Sequence, residues 1–162
     1  MTTGNGVSQQ EAKFIIFSLG REKYGVAVGK VREIIKYPGV SVMPGTPPFL
    51  EGVIDLRGNI IPIFDLNKRF RQTATAVTAA TRVIILELAA RERVALLGVV
   101  VDGVDMVGTL PAAAIKEQPC LADGIRSKYV TGIGQHCGAL VFLLDLDKLL
   151  TSDESGQLAD VG

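Results

Sequence analysis

The sequence predicts an all-β protein, and three observations carry that prediction. Short runs rich in Val, Ile, Leu and Phe recur along the chain, broken by Gly, Pro or charged pairs. Runs such as Val99-Val100-Val101 are β-branched and stiff at χ1, which suits a pleated strand better than a helix. Eighteen glycines and seven prolines, with no tryptophan, supply the many tight turns that short strands need.

Taken in order, the runs place strands at 13–19, 23–28, 31–37, 50–57 and 59–65. A second set falls at 82–89, 93–98, 99–107, 129–135 and 139–145. Helix signals are few. Asp65–Phe70 forms a short helix with Asp65 as its N-cap, and Asp145–Leu150 reads the same way. Shifting the chain by 80 residues lays Gly52–Phe70 over Gly132–Leu150 without gaps. Gly52 then meets Gly132, Gly58 meets Gly138, Asp65-Leu66 meets Asp145-Leu146, and Lys68 meets Lys148. A weaker echo pairs Val31 and Ile34 with Val101 and Val104.

The repeated unit is a strand, a glycine turn, an apolar strand and an Asp-capped helical turn. It predicts a single domain over 13–151 made of two similar lobes, 13–71 and 82–151. The uncharged, Thr/Ala-rich stretch Gln72–Thr81 joins them as a connector. Five strands in so few residues suit a small closed barrel, which also removes exposed strand edges. Gly52, Gly132 and Gly138 are read as structural turns. Residues 1–12 and 152–162 are polar, Gly- and Ser-containing tails, expected to be flexible.

Charge and composition exclude several functions. Lys+Arg and Asp+Glu balance at 17 each, and aromatic residues make up only 6 %, so neither a basic face nor a stacking platform for nucleic acid is expected. No apolar run is long enough to span a bilayer, and the polar N-terminus carries no signal-peptide segment, so a cytoplasmic protein without membrane insertion is expected. A small β-barrel module that binds nucleic acid or a nucleotide is the alternative reading.

Catalytic chemistry is thinly represented. The one histidine, His136, adjoins Cys137, but neighbours on a strand point to opposite faces and do not converge as a nucleophilic pair. Cys120 and Cys137 make neither a disulfide framework nor a four-ligand zinc site. The glycines of Gly132–Gly138 lead into a strand, whereas a phosphate-cradling loop must open a helix. Asp102 with Asp105, and Asp145 with Asp147, are explained by turns and helix capping. No catalytic residue, metal or cofactor is expected.

The most specific run is Phe49-Leu-Glu-Gly-Val-Ile-Asp-Leu-Arg-Gly-Asn-Ile-Ile-Pro-Ile-Phe-Asp-Leu66. Phe17-Ser-Leu-Gly-Arg-Glu-Lys-Tyr-Gly25 and Val31-Arg-Glu-Ile-Ile35 precede it. Gly98-Val-Val-Val-Asp-Gly-Val104, Tyr129-Val-Thr-Gly-Ile-Gly134 and Leu144-Asp-Leu-Asp-Lys-Leu149 follow. In order and spacing these motifs resemble the CheW family of chemotaxis coupling proteins over about residues 13–151. The resemblance implies two five-stranded, SH3-like barrels with a hydrophobic groove between them. It also implies a non-catalytic adaptor that joins chemoreceptor cytoplasmic tips to the regulatory domain of the histidine kinase CheA, recruited to membrane-associated receptor arrays.

On the residues alone, Asp55 and Arg57 share one face of a strand end, while Leu56 joins Ile54 in the barrel core. An unpaired guanidinium is not buried, so Arg57 faces water or a partner, and Gly58 turns the chain back. By resemblance, Arg57 belongs to the receptor-facing groove, and Asp55 stands where the family has asparagine. Asp55 either pairs with Arg57 and holds it or partly neutralises it. Val31 and Glu33 share a face opposite Arg32 and Ile34, and the resemblance ties Val31 and Glu33 to receptor binding. Val99 and Val101 either complete the groove or are plain core. The expected receptor-binding set is therefore Val31, Glu33, Ile34, Arg57, Gly58, Val99 and Val101.

Overall fold

The computed structural model describes residues 11–42, 44–45, 50–90, 93–116 and 128–147. The strands are β1 (Glu11–Leu19), β2 (Glu22–Ala27), β3 (Val31–Lys36), β4 (Leu50–Leu56) and β5 (Asn59–Asp65), then β6 (Arg82–Ala90), β7 (Arg93–Val101), β8 (Gly103–Pro111), β9 (Val130–His136) and β10 (Ala139–Leu144). One helix, α1 (Leu66–Arg71), follows β5. The strand boundaries match the sequence pattern closely, with one displacement. The expected break after Gly98 lies instead at Asp102, because Gly98 is an interior strand glycine. A Cβ there would sit 2.5 Å from Ile63 Cδ1 and 2.9 Å from Val83 Cγ1, so close packing between neighbouring strands explains it.

The strands form two five-stranded sheets, ordered β8-β1-β2-β10-β9 and β3-β6-β7-β5-β4. Both orders contain one parallel neighbour pair, β2 with β10 and β5 with β7. The sheets do not follow the lobes 13–71 and 82–151. The second sheet is one uninterrupted stretch, β3 to β7, while the first combines β1 and β2 with β8, β9 and β10. The chain passes between them at a 3-10 turn, Val28–Lys30, and again at Asp102. The 80-residue repeat is real as a local unit: the β4–β5 hairpin has its counterpart in β9–β10. Long-range pairing then assigns those units to sheets, and no local pattern encodes it. The weaker echo falls in part on equivalent edge strands, with Ile34 in β3 and Val104 in β8, although Val31 opens β3 whereas Val101 closes β7.

Each sheet curls until its edges meet. Ser41, just past β3, exchanges two backbone hydrogen bonds with Val53 of β4 at 2.9 and 3.0 Å. Lys116, past β8, does the same with Ile133 of β9 at 2.9 and 2.7 Å. The two sheets are thus closed barrels, called here barrel one (β1, β2, β8–β10) and barrel two (β3–β7). Gly52 and Gly132 lie inside strands at these seams, so they are not turn residues. A Cβ on Gly52 would lie 2.2 Å from the Ser41 carbonyl oxygen, and one on Gly132 would lie 2.6 Å from Ile115 Cγ2. Gly138 does sit in a turn, with φ 82°.

Barrel two encloses Ile54, Ile61, Ile63, Val83, Ile85 and Val100, with Leu56 against them. Barrel one encloses Ile16, Leu110, Val141 and Leu143. The largest core lies between the barrels, where Phe17, Tyr24 and Leu144 of one meet Phe64, Leu86 and Val99 of the other. α1 starts as the sequence predicts: Asp65 Oδ1 accepts from the backbone N–H of Asn67 at 2.9 Å. The connector is more than a spacer. Thr75 donates its N–H and its hydroxyl to the Asp65 carboxylate at 2.9 and 2.7 Å, and Thr81 is buried. Strand β1 already begins at Glu11; of the expected tails, residues 1–10 and 152–162 lie outside the described residues, as does the second helical segment beyond Asp147.

Candidate docking site

A β-bulge shapes the first part of the site. On β3, Val31 lies opposite Leu86, Glu33 opposite Ile85 and Ile34 opposite Ile84, so one extra residue, Arg32, is accommodated on β3. The bulge overturns the expectation that Val31 and Glu33 share a face. Val31 and Ile34 lie on the side of Leu86 and Ile84, which face the core between the barrels. Glu33 lies on the side of Ile85, which faces the interior of barrel two. Val31 packs partly onto the inter-barrel core, and Ile34 remains 36 % exposed at its rim. The displaced Arg32 pairs with Glu87 at 2.6 Å.

The second part is the β4–β5 turn. Leu56 pairs with Asn59, leaving Arg57 and Gly58 as a two-residue loop with φ 51° and 88°. Two successive positive φ values are the signature of a type I′ turn, whose twist matches that of the flanking strands. The geometry corrects the reading of Asp55. Its carboxylate accepts from the backbone N–H of Gly58 at 2.9 Å and so holds the turn. Arg57 pairs instead with Glu33 across the gap between β3 and β4, while its side chain stays 69 % exposed. Glu33 adjoins Ile34 along β3 but projects to the other side of the strand, so the pair and the apolar residues flank the same strand from opposite sides. Val99 and Val101 do not join them. Both are 0 % exposed and belong to the core between the barrels, as the plain-core reading had it.

The site therefore presents a small apolar rim beside a surface ion pair at a hairpin tip. Such a surface can recognise a protein helix or strand. The CheW-like domain family matches residues 13–154. The chain belongs to the CheW family. Chemotaxis protein CheW of Klebsiella aerogenes is 39 % identical over 158 residues, covering 98 % of this chain and 91 % of that protein. Chemotaxis protein CheW of Treponema pallidum is 28 % identical over 155 residues, covering 96 % and 91 %. The crystal structure of the scaffolding protein TtCheW from Thermoanaerobacter tengcongensis has a TM-score of 0.78 and 31 % identity, with 88 % of this chain and 90 % of that one covered.

The chain is a CheW-family chemotaxis scaffold, and several of the polar groups that stand out in its sequence tie loops and strand ends together. His136 ends β9, and its ring lies 3.2 Å from where a Cβ on Gly108 of β8 would be. Cys137 occupies the turn after it at φ 52° and is exposed, so the two do not form a pair. Cys120 lies outside the described residues. Asp102 accepts from the backbone N–H of Gly20 at 2.6 Å and from Asn67 Nδ2 at 3.0 Å, while Asp105 pairs with Lys23 at 2.6 Å. Asp145 accepts from the backbone N–H of Asp147 at 3.1 Å. Among the described residues, no group of three or more His, Cys, Asp or Glu could hold a metal ion, and no helix is long and apolar enough to cross a membrane.

One charged cluster went unnoticed in the sequence. Lys68 of α1 meets Glu51 of β4 at 2.5 Å, and this hydrogen bond holds the ammonium above its ordinary value of 10.5. Burial, followed by the nearby Glu51 charge, pushes the Tyr37 phenol up from 10.0. The signal was available only in part: Lys68 stood out in the repeat, but Glu51 and Tyr37 are brought to it by the fold.

Proposed function

We propose that this CheW-family chain is a non-catalytic adaptor that couples chemoreceptor cytoplasmic tips to the regulatory domain of a CheA-type histidine kinase. The observation that carries the receptor half is the rim formed by strand β3, which carries the partly exposed Val31 and Ile34 on one side and Glu33, paired with Arg57 at the hairpin tip, on the other. A helical receptor tip would lay its apolar residues along this rim, while Arg57 and Glu33 set its register through their charges. Gly58 contributes by holding Arg57 at the exposed tip of a tight turn. The kinase half is supported by the family membership and by the two barrels of equal strand order, which suit a partner built of similar lobes. The adaptor would act in the cytoplasm at receptor arrays.

The test is co-sedimentation of the full chain with a soluble receptor tip fragment and, separately, with a CheA regulatory domain. Arg57→Glu should weaken receptor binding, leave kinase binding intact and preserve the β-rich circular dichroism. Unfolding of that variant, or undiminished receptor binding by it, would overturn the assignment of Arg57.

A further inference from the structure

We propose that α1 is a strut that fixes the angle between the two barrels, and that Arg69 is the positioning residue through which it does so. This rests on the adaptor reading, because an adaptor's output is the geometry in which it holds two partners. The helix is continuous with β5, so it belongs covalently to barrel two, and the Asp65 cap with its two bonds from Thr75 fixes it there. Its other side reaches barrel one. Arg69 Nε and Nη2 donate to the Tyr129 hydroxyl at 3.3 and 3.1 Å, and the guanidinium carbon stands 5.9 Å from the Tyr129 ring centroid. Phe70 lies between two rings of barrel one, 6.0 Å from Tyr24 and 5.4 Å from Tyr129. Asn67 reaches Asp102, which also holds the β1–β2 turn at Gly20.

Three residues of one short helix thus grip three separate places outside barrel two: the start of β9, strand β2 and the crossing into β8. The apolar contacts among them are non-directional and permit sliding. The bonds from Arg69 to Tyr129 are directional and join the two barrels, so they limit rotation. A tie of the same kind stands at the repeat-related position. Asp147, which the 80-residue shift pairs with Asn67, accepts from the backbone N–H of Ala89 in β6 at 3.0 Å and pairs with Lys30 at 2.8 Å. The junction is therefore held by polar ties from both repeats, and α1 adds the aromatic insertion of Phe70.

The experiment measures the angle directly. Spin labels go on native Cys137, in the β9–β10 turn of barrel one, and on Val94→Cys, at a 67 % exposed position of β7 in barrel two, with Cys120→Ser throughout. Pulsed electron resonance then gives the inter-barrel distance distribution in the full chain, unaltered at Arg69 or carrying Arg69→Met or Tyr129→Phe. The strut account expects both substitutions to broaden the distribution alike, and their combination to add nothing further. Binding to the receptor fragment alone and to the kinase regulatory domain alone should be unchanged. Receptor-dependent kinase activation in the three-component assembly should fall about fivefold or more, the scale of a real coupling energy. A lowered melting temperature with an unaltered distribution overturns the strut, as does a broadened distribution with full activation. If the unaltered chain binds neither partner, the adaptor reading fails, and the distance distributions still decide whether Arg69 sets the angle.

Discussion

A Cβ on Gly52 would lie 2.2 Å from the carbonyl oxygen of Ser41, the atom that accepts the Val53 N–H and closes barrel two. Because the obstacle is backbone and Gly52 also holds φ 152°, Gly52→Ala has no side chain to push aside. It should cost about 3 kcal/mol or more, as strain and a lost seam combine. Gly132→Ala meets Ile115 Cγ2, a methyl fixed at a β-branched carbon, with the Lys116 carbonyl oxygen 3.2 Å away, and should cost about 2 kcal/mol. Gly58→Ala faces open space at φ 88° and pays only for the left-handed backbone, about 1 kcal/mol. Urea unfolding of the three variants should reproduce this order.

The Glu33–Arg57 pair should matter more for recognition than for stability. Arg57 is largely exposed, so water screens the attraction and its loss should cost no more than about 1 kcal/mol. The doubly reversed chain, Glu33→Arg with Arg57→Glu, restores the pair and should melt like the original. Receptor binding should stay impaired in it, since the partner meets the opposite charges. Recovery of binding in the double variant would mean that the pair serves the barrel alone.

Alkaline pH should weaken the fold at the Tyr37–Glu51–Lys68 cluster. The folded state holds the Lys68 proton more tightly than the unfolded state does, chiefly through the hydrogen bond to Glu51. Its stabilisation is complete below the unfolded value of 10.5 and disappears as pH rises through the higher folded value. Tyr37 acts with the same sign, because burial keeps its phenol protonated in the folded state beyond 10.0. Urea midpoints should therefore fall as pH climbs above about 10. Glu51→Gln should flatten that decline, and an equally steep decline in the variant would assign it elsewhere.

Asp65 accepts four hydrogen bonds while being buried, two from the start of α1 and two from Thr75. Asp65→Ala removes the cap and strands the Thr75 donors, which should cost about 2–3 kcal/mol. Thr75→Val keeps the cap and loses two bonds, the one its hydroxyl donates to Asp65 and the one it accepts from Asn67 Nδ2, so about 1–2 kcal/mol is expected. Limited proteolysis should show earlier cleavage within 72–81 in both, and most in Asp65→Ala.

Local physics was legible and long-range assembly was not. Alternation and β-branching located β1 to β10, and the Asp65 cap could be read from its neighbours. The repeat was visible because it lies within contiguous hairpins. Its distribution over two barrels depends on the parallel β2–β10 and β5–β7 pairs, which join distant segments without a local mark. Gly98, Gly52 and Gly132 misled for one reason. Each is glycine because something distant in sequence packs against it, a need indistinguishable from a turn until the fold is known. The Arg32 bulge likewise reversed the face of Val31 relative to Glu33, and Arg57 found its partner on another strand instead of at Asp55.

Barrel one gathers β1 and β2 with β8 to β10, whereas barrel two is unbroken from β3 to β7. During synthesis on the ribosome, the β1–β2 hairpin is made before β3 to β7 yet must wait for β8 to β10. The hairpin is marginal alone, and its apolar Ile15, Phe17 and Tyr24 lack their barrel-one partners, such as Val130 and Leu144, until then. Barrel two can assemble in the interval and offer its apolar flank as a template. Completion of β10 is thus the step at which the molecule first acquires both of its halves.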